Sequence, residues 1–83
     1  MIKFSTKGWD DYLYWQTADR ATLKRINQLI RDIERDPFSG IGKLEPLKHQ
    51  LSGFWSRRID DCHRLVYAID NGTILVAQCR DHY

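Results

Sequence analysis

The sequence predicts an α+β fold: a short N-terminal strand, then two helices packed on one face of a small antiparallel sheet. Three observations carry this. Apolar residues recur at helical spacing through the first half. Alternation of period two takes over in the second half. Asn71 and Gly72 separate two alternating runs, as a two-residue hairpin turn requires. Helices on one side of such a sheet make two layers and leave its other face open.

Ile2–Phe4 reads as the opening strand. Ser5 or Thr6 can cap the first helix, with Asp10 and Asp11 in its first turn, where acids are favoured. Trp9, Tyr12 and Leu13 fall at i, i+3 and i+4, so they are expected on its buried face. Asp19 can cap the second helix. There Leu23, Ile26, Ile30 and Ile33 recur every three or four residues, and Leu29 widens the stripe. Lys24, Arg31 and Arg35 belong to a solvated face. Pro37 ends this helix, because the residue before proline is pushed out of the helical region. Residues 38–42, with two glycines, form a loop. Strands are expected at 54–59, 63–69 and 73–80.

Counting by twos, Arg64, Val66 and Ala68 lie opposite Leu65, Tyr67 and Ile69. Val76, Gln78, Arg80 and His82 lie opposite Leu75, Ala77 and Cys79. With the more apolar sets turned to the helices, Arg64 and His82 face the open side. Arg58 fits there too, and the adjacent Arg57 points the other way.

Eighty-three residues make one domain, 1–83, with a thin core to which Trp9, Trp15, Phe54 and Trp55 are expected to contribute. The net charge of +2 permits a polyanionic partner without demanding one. Lys43, Lys48, Arg57, Arg58 and Arg64 fall in the second half, where they make either a basic groove or a mixed-charge surface. The opening MIKFSTKGWDD has no apolar run of signal-peptide length, and no stretch suits a membrane, so a cytoplasmic protein is expected. Cys62 and Cys79 are then free thiols. Cys62 and His63 are adjacent, but no second close pair completes a metal site, and no cofactor is expected.

An open face holding Glu45, Arg58, Arg64 and His82 could cut RNA, which carries its own nucleophile in the 2′-hydroxyl. A carboxylate removes that proton, an imidazole protonates the leaving 5′-oxygen, and guanidinium groups stabilise charge on the phosphate. From the residues alone, each group also has a plain reading. Glu45 is a solvated loop carboxylate, Arg64 a partner for Asp60 or Asp81, and His82 and Tyr83 a loose chain end. A non-catalytic RNA-binding module therefore stands beside the enzyme. Glu45 and His82 discriminate, since a carboxylate beside phosphate gains a pure binder little.

The strings EPLKHQLSGFWSRRI, HRLVYAI and CRDHY, in that order, resemble the YoeB-type toxins of the RelE-like superfamily. WDDYLYWQTAD and DPFSGIGK in the first half agree, so the resemblance covers essentially the whole chain. It implies a fold like that of small microbial ribonucleases, and metal-independent cleavage of messenger RNA in the ribosomal decoding site. Carried over residue by residue, it makes Glu45 the base, Arg64 the phosphate-stabilising arginine, His82 the acid and Tyr83 the terminal tyrosine of the catalytic set. Lys48 and Arg58 match positions that contact RNA or the scissile phosphate, and His49 belongs to the same surface. The resemblance also implies a YefM-like antitoxin with a tail that orders on binding, and promoter DNA bound only through that antitoxin. Whether the toxin forms a homodimer is left open, and a non-catalytic ribosome-binding module or an antitoxin-binding corepressor stands as the alternative to the enzyme.

Overall fold

In the computed structural model, which describes residues 1–82, β1 (Ile2–Phe4) leads through Ser5 into α1 (Thr6–Ala18). The Ser5 side chain accepts from the Gly8 N–H at 3.0 Å, an N-cap bond that satisfies one orphan donor of the first turn. Asp19 takes the same role for α2 (Arg20–Arg35), accepting from Ala21 and Thr22. α2 stops at Arg35, before the extended Asp36 and Pro37. Next come β2 (Glu45–Pro46), a 3-10 turn at His49–Leu51, β3 (Trp55–Arg58), β4 (Arg64–Asp70) and β5 (Thr73–Gln78). Asn71 and Gly72 both have positive φ, 50° and 78°, as the tight hairpin demands.

The five strands lie in the order β1-β5-β4-β3-β2. β2 to β5 pair antiparallel, and β1 adds to β5 in parallel, so the completed sheet is mixed. The core fills the space between the helices and one sheet face. Ile26, Leu29, Ile30 and Ile33 of α2 meet Leu65, Tyr67, Ile74, Val76 and Cys79. Complete burial of residues such as Ile26 and Leu29 contributes roughly 1.5–3 kcal/mol each before entropy is charged.

Three expectations are corrected here. The buried face of α1 is Gly8, Asp11 and Trp15, while Trp9 and Leu13 stay nearly half exposed. Trp9 instead stacks on Tyr12 and meets Phe4 edge-on at the surface. Gly8 sets this face, because a Cβ there would run into the Val76 carbonyl; the helix can approach β5 closely only without one. Asp10 and Asp11 lie beyond the first turn of α1. In β5 the helix-facing residues are Ile74 and Val76, rather than Leu75 and Ala77. Tyr67 pairs with Val76 and Val66 with Gln78, so Ala77 is an extra, bulged residue. The bulge shifts the alternation by one and returns Cys79 to the core side, where it is fully buried. Ser5 Oγ donates to the carbonyl of Ala77 at 2.8 Å, so the α1 cap also serves the bulge.

Arg57 leaves the basic groove altogether. It is fully buried, and its guanidinium donates to Asp32, the Tyr67 hydroxyl and the carbonyls of Asp36, Ser39 and Ile41. Every direction of the fork is used. This arginine ties the loop after α2 to the sheet, and that loop delivers the chain to β2.

Candidate functional site

On the sheet face turned away from the helices, the ladder register sets the residues in rows. Glu45 of β2 is opposite Ser56 of β3, Ser56 is opposite Val66 of β4, and Val66 is opposite Gln78 of β5. One step along, Arg58 is directly opposite Arg64. Like charges so placed repel unless counter-charge sits near them. Lys43, Glu45, Ser56, Arg58 and Arg64 line one hollow of about 230 Å³. Three cations and one carboxylate around a small polar hollow suit a bound anion with a proton acceptor at its side.

Both arginines have local partners within the turn between β3 and β4. Arg58 pairs with the Asp61 carboxylate at 2.7 Å, but Asp61 is almost wholly in water. Arg64 donates to the carbonyls of Asp60 at 2.6 Å and His63 at 3.0 Å. The exposed Arg58–Asp61 pair is worth little, so an incoming phosphate can replace Asp61 at small cost. The Asp60 carboxylate is not Arg64's partner; it accepts from the N–H groups of Cys62 and His63 and shapes the turn.

Glu45 also borders a second hollow of about 320 Å³, with Pro46, Leu47, Lys48, His49 and Leu51. Lys48 and His49 are exposed and line this second hollow, which Arg64 does not reach. Lys43 and His49 have positive φ, 48° and 58°, on either side of Glu45. Left-handed backbone at a residue with a side chain costs free energy and must be held by its surroundings.

The segment that leads to His82 is held residue by residue. The Cys79 N–H donates to the buried Asp11 carboxylate at 3.1 Å, and its carbonyl accepts from Trp15 Nε1 at 2.8 Å. The Arg80 guanidinium lies 3.7 Å from the ring centre of Tyr14. Asp81 donates its N–H to His63 Nδ1 at 2.8 Å and accepts from the Arg64 N–H at 3.0 Å. His82 thus begins one peptide away from the backbone of Arg64, and is exposed. Tyr83, expected in the catalytic set, lies outside the described residues. The structure brings Glu45, Arg58 and Arg64 into one hollow, sets Lys48 and His49 on the adjoining surface, and anchors the residue before His82 at Arg64.

Asp11, Trp15 and His63 went unread as parts of this arrangement. Asp11 and Trp15, at i and i+4, share a helical face with Gly8; that spacing was the available signal. Among the described residues, no group of three His, Cys, Asp or Glu side chains could hold a metal ion, and no helix is long and apolar enough to cross a membrane.

A family model described as a YoeB-like toxin of bacterial type II toxin-antitoxin systems matches residues 4–83. The chain is 60% identical over 80 residues to toxin YoeB of Escherichia coli strain K12, covering 96% of this chain and 95% of that one. It superposes on the toxin of a YoeB-YefM complex from Staphylococcus aureus with a TM-score of 0.93 at 44% identity, over 100% of this chain and 97% of the other. Its TM-score against a YoeB dimer from the same organism is 0.91 at 46% identity, over 99% and 95% of the two chains.

Proposed function

The chain belongs to the YoeB-like toxins of type II toxin-antitoxin systems, and from that premise we propose that it is an endoribonuclease that cuts messenger RNA in the decoding site of the ribosome. The observation that carries this reading is the single hollow lined by Glu45, Arg58 and Arg64. In the proposed reaction Glu45 removes the proton of the 2′-hydroxyl, and that oxygen attacks the adjacent phosphorus. Arg64 and Arg58 bind the non-bridging oxygens and gain strength as negative charge builds there. His82 gives a proton to the departing 5′-oxygen. The phosphorus exchanges one P–O bond for another, leaving a 2′,3′-cyclic phosphate and a 5′-hydroxyl. Lys48 and His49 take the RNA backbone beside the cut, and Tyr83 completes the site against a base or the phosphate. No cofactor enters.

A YefM-like antitoxin is the proposed inhibitor; the solved YoeB-YefM complex of a relative supports it. Such a partner would carry any promoter binding of the pair. The YoeB dimer of the same relative supports self-association.

The test is to incubate the protein with translating ribosomes and map the ends of the message. The expected products carry a 2′,3′-cyclic phosphate or 3′-phosphate and a 5′-hydroxyl. A 2′-deoxynucleotide just 5′ of the cut should block cleavage, and EDTA should not, wherever the ribosome complex stays intact. Products with a 5′-phosphate and a 3′-hydroxyl would overturn the mechanism. Equal rates on naked RNA would remove the ribosome from it.

A further inference from the structure

His63 touches both Arg64 and the residue before His82. Its carbonyl accepts from Arg64 Nη1 at 3.0 Å, and its ring Nδ1 accepts from the Asp81 N–H at 2.8 Å. The next residue, Arg64, donates its own N–H to the Asp81 carbonyl. Consecutive residues at the head of β4 thus hold both backbone polar groups of Asp81. That grip matters because Asp81 has φ +68°, a conformation that residues with a side chain seldom adopt unaided. The peptide it fixes is the one that leads into His82.

The ring is itself held in place. It packs edge-on against Trp15, with ring centres 4.9 Å apart and planes at 78°. The His63 N–H donates to the Asp60 carboxylate at 2.8 Å. With Nδ1 accepting, the ring proton of the neutral imidazole sits on Nε2. Trp15 and Asp11 already hold Cys79, two residues upstream of Asp81, so the ring completes a run of contacts from α1 to the candidate acid.

Resting on the ribonuclease reading above, we propose that His63 is a positioning residue for cleavage: its Nδ1 fixes the Asp81 peptide so that the His82 imidazole meets the leaving oxygen of the phosphate held by Arg64. The ring itself stays off the substrate. Its part is to remove a degree of freedom from the acid, and orientation of a catalytic group can carry a large share of a rate enhancement.

Alanine at this position also removes a ring that Trp15 packs against. The decisive comparison is therefore between two amides, His63→Asn and His63→Gln. The asparagine amide oxygen falls near the place of Nδ1, whereas the longer glutamine puts its oxygen near the place of Nε2. Three quantities are measured for both and for the parent protein: hydrogen exchange at the Asp81 amide, the single-turnover cleavage rate at saturating programmed ribosomes, and the ribosome concentration for half-saturation. H63N should keep the amide protected and retain most of the rate. H63Q should lose the protection and about tenfold or more of the rate, with half-saturation unchanged within about twofold. Equal rates in the two variants, or an unprotected Asp81 amide with the parent's rate, would overturn the proposal. Failure of the parent protein itself to cut would sink the ribonuclease reading and the proposal together. That case is recognised because the amide exchange would still differ between the variants.

Discussion

Arg57 of β3 and Asp32 of α2 form an ion pair inside the fold, with the arginine side chain fully shielded from water. The same guanidinium gathers three loop carbonyls, from Asp36, Ser39 and Ile41. A lysine offers three donors on a point charge and cannot reproduce that fork. Arg57→Lys should therefore lower the melting temperature by roughly 5–15 °C, because buried acceptors lose their partners. Thermal melting by circular dichroism reads it. An unchanged midpoint would show that the fork contributes nothing to stability.

Acid should unfold the protein partly through α2 and the loop behind it. The Ile41 N–H and then the Arg57 guanidinium hold the Asp32 carboxyl below the usual aspartate range. The Phe38 N–H and the Ser39 hydroxyl do the same for Asp36. A carboxyl with a depressed folded pKa adds stability above its unfolded value and loses it as pH falls through the folded one. The midpoint should hold near neutrality and decline from about pH 5 downward. Asp32→Asn should lower the plateau and flatten that decline. An identical slope in the variant would remove Asp32 from the acid response.

The two thiols should behave in opposite ways. Cys62 is exposed, whereas Cys79 is buried against Gly8 and Asp11, and burial pushes its thiol up to about 12. A thiol that high has almost no thiolate at neutral pH. An aromatic disulfide reagent should titrate one thiol in the native protein and two in denaturant. Two fast thiols in the native state would contradict the burial of Cys79.

Arg64 and Lys48 should separate chemistry from binding. Arg64 lines the hollow with Glu45, while Lys48 lies on the outer flank. Arg64→Ala should lower the single-turnover rate by about a hundredfold or more with little change in ribosome affinity. Lys48→Ala should weaken binding and reduce its salt slope by about one, leaving the saturated rate close to the parent's. The reverse pattern would exchange their roles.

Features that depend on neighbouring residues were legible in the sequence. Ser5, Asp19, Pro37 and the Asn71-Gly72 pair each act through a local hydrogen bond or a backbone restriction. The α2 stripe was equally plain, because five aliphatic residues leave little choice of face. α1 misled because its packing is decided by the close approach of Gly8 to β5 and by polar bonds from Asp11 and Trp15 to Cys79, not by apolar weight. The β5 face misled because one bulged residue, Ala77, reverses the count. Arg57 looked like its neighbour Arg58, and only the alternation hinted that they part company. The clustering of Glu45 with Arg58 and Arg64 needed the pairing of β2 with β3 as well. A two-residue strand gives no periodicity from which to read it.

The parallel pairing of β1 with β5 has a kinetic cost. It joins segments about as far apart as the chain permits; the neighbouring Ser5–Ala77 bond spans 72 residues. Long-range closure of this kind slows folding far more than it changes stability. β5 is also the partner of β4, so the sheet cannot be completed until residues 73–78 are in place. During synthesis the helices and the β3–β4 hairpin can form early, but residues 79–82 reach their anchors on α1 and at the head of β4 only when that last strand docks. A growing chain therefore passes through most of its length before its candidate acid acquires a fixed position.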